Sequence, residues 1–147
     1  MDGASFHLFY LVSTFVIWAV AWWKGAKPER LGVLLLLVNY VAGGMLAPLR
    51  LWWALPLNDA VLLAVLIWMS LRFDRWWILA TAAAHLLLML VHISVLGDPS
   101  LDTRVYVGSR WLFGVIGLYA LLLGPGERWL AGEAPGGWPR WTRTQRG

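Results

Sequence analysis

Five apolar blocks, separated by short charged or Pro/Gly-rich joints, dominate the chain and leave few folds open to it. They are Ser5–Trp23, Glu29–Ala47, Asn58–Phe73, Arg75–Leu96 and Thr103–Gly124. A membrane-crossing helix needs about 20 mostly apolar residues, within a range of about 17–25. Four of the blocks meet that requirement. The third, at 58–73, is short and needs Arg72 to reach outward past its end. The expected fold class is therefore all-α: an integral membrane helical bundle of five spans, or four if the third helix lies in the interface.

Composition agrees with this class. The chain is 60% hydrophobic and 14% charged, whereas soluble domains run to about a quarter charged. It has no cysteine, which excludes a disulfide framework, a thiolate metal site and a cysteine nucleophile. The first block follows an acidic MDGAS start and has no small-x-small site after it, so it reads as a retained span.

The joints carry helix signals. Pro28 suits the first position of the second helix. Asn58 is the expected N-cap of the third, with Asp59 in its first turn. Pro48 and Pro56 bracket an outer loop, and Gly97–Ser100 turns the chain. Gly124–Gly126 closes the fifth helix, leaving residues 127–147 as a basic Trp/Arg/Gly/Pro tail.

Charge sets the expected orientation. With five spans, one side holds Lys24, Lys27, Arg30, Arg72, Arg75, Arg128, Arg140, Arg143 and Arg146, and the other only Arg50 and Arg104. Basic residues accumulate on the cytoplasmic side. The N-terminus is expected outside and the C-terminus inside, in a bacterial inner membrane. Trp22, Trp23, Trp76, Trp77 and Trp129 then form an inner aromatic belt, and Trp52 and Trp53 an outer one. The basic tail next to such a belt reads as a lipid contact rather than a nucleic-acid site.

Polar residues inside the blocks are the candidates for function, because ionisable groups at membrane depth are costly and face the bundle interior. On the fourth helix Asp74, Thr81, His85 and His92 fall within about 40° of one another, a polar stripe. On the fifth, Tyr106, Arg110, Gly114, Gly117 and Gly124 share an arc of about 80°. His92 and Arg110 are expected at one depth. Arg110 needs an anion: Asp59, Asp98, Asp102, lipid phosphate or a ligand. Asn39 stands between Gly32 and Gly43, and His7 near the outer edge. The candidate ligand-binding or packing seam is thus His85, His92, Arg110, Tyr106, Asp59, Asn39 and His7. His85, nearer the midplane, reads as a contact between helices.

Enzyme signatures are missing from the sequence. It has no HExxH, phosphate loop or GxSxG, and no carboxylate pair at depth. No cofactor and no metal are expected. Haem b or a related pigment, held through His92 with His7 or His85, is the remaining cofactor reading. The expected role is an accessory or interaction subunit of a larger membrane assembly, packed against lipid, other membrane chains or its own copies. The alternative is a binding or transport protein for an anionic, quinone-like or amphipathic ligand in the outer half.

The stretches Pro28-Glu29-Arg30 and Arg72 to Trp77, with His92, resemble a family of short multi-span bacterial inner-membrane proteins. Those proteins have a PER turn and an Arg/Trp-rich start to the fourth span. The resemblance implies a topology and no particular chemistry.

Overall fold

The computed structural model describes residues 3–49, 51–98 and 103–133, with the side chains of residues 3–7 set aside. It is built of five α-helices: α1 (Gly3–Lys24), α2 (Lys27–Leu46), α3 (Ala54–Arg72), α4 (Trp76–Gly97) and α5 (Thr103–Leu130). A 3-10 turn, Ala47–Leu49, follows α2, and no strand occurs among the described residues. The helices run up and down in chain order, each against the next, and α5 closes onto α1. Four segments are long and apolar enough to cross a membrane: Lys27–Leu49, Ala54–Arg72, Trp76–Gly97 and Thr103–Leu130. A shorter apolar stretch, Leu8–Lys24, lies in α1.

The end holding the α1–α2 and α3–α4 turns is here called the base, and the opposite end the top. The base is tightly packed. Trp77 of α4 is wholly buried and lies between Gly32 of α2 and Gly124 of α5. A Cβ on Gly32 would come within 2.5 Å of Trp77 Cη2, and one on Gly124 within 2.8 Å of Trp77 Cδ1. The two glycines are therefore the seat of the indole. Around it pack Ala21, Leu66, Met69, Ile78 and Leu121, all at most 1% exposed. Trp77 thus belongs to the core and not to an aromatic belt, whereas Trp22, Trp23, Trp76 and Trp129 are exposed.

Glu29 completes the base. It is the third residue of α2, and its carboxylate accepts the free backbone N–H of Ala26 at 2.7 Å. This satisfies one of the donors that a helix start leaves open. Its other oxygen accepts from Trp77 Nε1 at 3.3 Å. Glu29 is fully buried, so these two donors replace the water it has lost.

Three boundaries differ from the sequence expectation, each for a local reason. α3 begins at Ala54, four residues before Asn58. Pro56 is tolerated because first-turn N–H groups have no helical partner. Asn58 is therefore inside the helix and not its cap, and the added turn gives α3 a length of 19 residues. Asp74 is exposed and precedes α4, so it is not part of the buried stripe. α5 runs through Pro125 to Leu130, past the expected stop at Gly124–Gly126. Ion pairs hold this last turn. Arg75 bonds both oxygens of Glu133 at 2.7 and 2.9 Å, Arg75 lies 3.9 Å from Glu127, and Arg128 lies 3.0 Å from Glu133. The residues from 134 on, with most of the expected tail, lie outside the described residues.

Toward the top the packing loosens. The buried residues of α2 are Pro28, Glu29, Gly32 and Val33, all in its first two turns. Beyond them no residue of α2 is fully buried.

Two outcomes follow. Gly32→Ala is expected to destabilise the detergent-solubilised protein by about 1–3 kcal/mol through overpacking. Gly44→Ala, with open space around its Cβ, should leave the melting temperature unchanged. The hydrogen bonds from Arg75 hold the Glu133 carboxyl below its ordinary pKa. Its contribution is therefore present at neutral pH and is lost as pH falls through that lowered value. Melting curves of Glu133→Gln and the parent should differ at neutral pH and converge in acid.

Candidate functional site

The top of the bundle centres on Asp59. Six residues into α3, its carboxylate faces inward and is 2% exposed. A carboxylate removed from water costs several kcal/mol unless its lone pairs find donors. Here three helices supply them. His92 Nε2 of α4 lies 2.9 Å from Oδ2. Arg110 Nη2 of α5 lies 3.7 Å from the same oxygen, an ion pair rather than a hydrogen bond. Asn39 Nδ2 of α2 lies 3.5 Å from Oδ1.

A second layer fixes these partners. Tyr106 Oη sits 3.0 Å from His92 Nδ1, with the two rings edge to face at 5.4 Å. The assignment with fewest charges has Nε2–H donating to Asp59 and Tyr106 O–H donating to the Nδ1 lone pair. Arg110 is then the cationic partner of Asp59. Asn58 Nδ2 donates to Asn39 Oδ1 at 2.8 Å and to the Asn39 carbonyl at 3.2 Å, which holds the α2 amide toward Asp59.

Of the residues singled out from sequence, the structure brings Asp59, His92, Tyr106, Arg110 and Asn39 into one network. His92 and Arg110 meet on a single Asp59 oxygen, which is what a shared depth requires. Arg110 pairs with Asp59 rather than with Asp98. Asp102, Arg50 and the side chain of His7 lie outside the described residues.

His85 stands apart from that network, one seven-residue step down the same face of α4. It is 4% exposed, and its Nδ1 lies 2.9 Å from the Thr81 carbonyl. Only a protonated nitrogen can donate to a carbonyl, so Nδ1 carries the hydrogen and Nε2 the lone pair. Gly117 makes room for the ring: a Cβ there would lie 3.3 Å from His85 Cε1.

Sequence reasoning assigned no such roles to Asn58, Glu29, Tyr10 or Trp111. Asn58 was masked by its good fit as an N-cap. Glu29 had a usable signal, since an acid at the third helical position is half of a capping box. Tyr10 and Trp111 pack edge to face at 4.5 Å and give no periodic cue.

Between these groups lies a cavity of about 420 Å³, within the range of about 300–1,000 Å³ usual for small-molecule sites. Asp59, Asn39, Arg110 and His85 supply its polar wall, and Tyr10, Tyr40 and Trp111 its aromatic wall. Tyr40 and Val41 of α2 and Val107 of α5 line it and are also exposed. The cavity therefore opens sideways, between α2 and α5. Arg110 Nε is buried and has no hydrogen-bond partner. The side chain as a whole is 29% exposed and lines the cavity, so a ligand reaches its outer N–H groups rather than the enclosed Nε.

Metal or haem binding meets an obstacle at His92, because both ring nitrogens are engaged. An iron at either one would displace Asp59 or Tyr106. Among the described residues no group of three or more His, Cys, Asp or Glu is placed to hold a metal ion.

No family model, curated protein or solved structure matches the chain.

Asp59→Ala strands Arg110 and His92 and is expected to cost about 3–5 kcal/mol, the usual effect of removing one partner of a buried pair. The Asp59→Ala/Arg110→Met double variant should cost less than the two single changes together. Additive costs in thermal unfolding would show that the two residues are not coupled.

Proposed function

We propose that this chain is a five-span protein of the bacterial inner membrane, with its top facing outward, and that it binds an amphipathic ligand drawn sideways from the bilayer. At about 1.5 Å per residue, the 22 residues of α1 are enough for a hydrocarbon core of about 30 Å. The nine-to-two division of basic residues between the two ends supports the orientation.

The observation that carries the binding reading is the cavity wall holding Arg110, 29% exposed and tied to Asp59 only by a 3.7 Å ion pair. At 3.7 Å the contact with Asp59 is too long for a hydrogen bond, so the terminal N–H groups of Arg110 have donor capacity that a ligand can take up. The sideways opening suits an apolar chain that stays among lipid tails while the polar head enters. The binding reading takes precedence over the accessory-subunit reading for a concrete reason. Large exposed apolar side chains occur on all five helices, which lipid contact alone requires, whereas the polar cavity has no such general explanation. Asp59, His92 and Tyr106 are engaged with one another, and the role proposed is binding or transfer.

The test is extraction of the purified protein and identification of its bound amphiphile by mass spectrometry. Arg110→Gln should lose that molecule, with an affinity about tenfold to a hundredfold lower, the worth of a charged hydrogen bond. Equal retention by the variant would sink the proposal.

A further inference from the structure

We infer that the head group taken by this cavity is a neutral ring with an oxygen at each end, of the quinol class, held between Arg110 as donor and His85 as acceptor. The inference rests on the binding reading above and names its ligand.

Charge excludes the first alternative, a carboxylate or phosphate head. Arg110 already has a counter-charge, Asp59, at 3.7 Å. An anionic head beside that pair would bring a second negative charge into a buried place with one cation to serve both. A neutral head adds none.

Hydrogen-bond polarity selects the chemistry. Arg110 presents donors: its terminal N–H groups meet Asp59 only at 3.7 Å, beyond hydrogen-bond distance. His85 presents the opposite: its Nδ1–H is spent on the Thr81 carbonyl, and its Nε2 lone pair has no partner among the described residues. A ligand matched to both accepts at one end and donates at the other. A quinol does so, with one oxygen accepting from Arg110 and the far O–H donating to His85.

Spacing separates a ring from a single carboxylic acid. His85 and His92 are seven residues apart on α4, about 10.5 Å along the axis. Arg110 is at the level of His92, since both reach Asp59 Oδ2. A head group touching both side chains therefore spans about two helical turns less the reach of the side chains, which calls for polar atoms on opposite ends of a ring. The two oxygens of a carboxyl group share one carbon and cannot make both contacts.

The walls fit a flat ring. Tyr10, Tyr40 and Trp111 offer aromatic faces and edges. Gly44 has no atom within 4 Å of its Cβ position, and at Gly114 the nearest is the Tyr10 hydroxyl at 4.0 Å, so neither wall crowds the plane. An apolar substituent leaves past Val41 and Val107 into the lipid.

His85 also distinguishes oxidation states. A quinone has no O–H to donate, so its entry leaves Nε2 buried and unpaired. The reduced form is expected to bind about tenfold to a hundredfold tighter.

The experiment uses the full chain in phosphatidylcholine nanodiscs under anaerobic conditions. Equilibrium binding is measured for a decyl-substituted benzoquinol, the matching benzoquinone and decanoate. The expected order is quinol, then quinone, then decanoate. His85→Phe should bring quinol affinity down to that of the quinone and leave the quinone unchanged, whereas Arg110→Gln should weaken both. The order in the unmodified protein stands as a test even if a variant fails to fold. Equal affinities for quinol and quinone, or decanoate as the tightest ligand, would overturn the quinol assignment while leaving amphiphile binding intact. Binding of none of the three would overturn the binding reading itself.

Discussion

One buried carboxylate organises the top of this bundle. Asp59 is 2% exposed and has no tolerable state without donors. Those donors come from α2, α4 and α5, through Asn39, His92 and Arg110. The relative heights of four helices are therefore set by one side chain. A slip of α4 by a turn, about 5.4 Å, would remove His92 from Asp59 and Tyr106 together. Apolar packing in lipid gives little such register, because hydrocarbon tails compete equally for apolar faces.

The base works by a different principle. There the close approach of helices is shape-driven: Gly32 and Gly124 give up their side chains so that the Trp77 indole can occupy the space. Glu29 joins the two schemes, capping α2 while bonding the same indole. A base closed by volume and a top held by directional contacts leaves the middle of the upper half unfilled. The cavity lies in that gap, at the height where α2 has ended its close packing. Its polar wall is the side of the Asp59 network that the network itself does not use.

Long apolar blocks and their charged joints made the helical class, the helix count and the buried faces of α4 and α5 readable from residues alone. Thr81, His85 and His92 lie on one buried face because helical periodicity is a local property. The pairing of Asp59 with Arg110 was one of several arrangements that sequence allowed, and only three-dimensional packing selects it. Two errors have a common cause. Asn58 and Trp77 each carried a strong local preference, for a helix cap and for a membrane interface. In the fold, tertiary partners outweighed both: Asn39 claims the one, and the Gly32–Gly124 seat the other. Asp74 failed for a simpler reason, since α4 begins two residues later than it. The cavity was not legible at all. It depends on how α2, α4 and α5 sit around the Asp59 network, which no single residue announces.

The Asp59 network also has a direction in time. A ribosome makes α3 before α4 and α5, and His92 follows Asp59 by 33 residues, with Arg110 later still. During that interval the carboxylate has neither of its cationic or imidazole partners. An isolated α3 is thus a poorer guest of hydrocarbon than its apolar content suggests, since one Asp raises the cost of insertion by up to about 3.5 kcal/mol at mid-membrane and less near the edge. On the membrane reading proposed above, nascent α3 gains from remaining beside the insertion machinery, or at the headgroup level, until the C-terminal helical pair arrives to neutralise it.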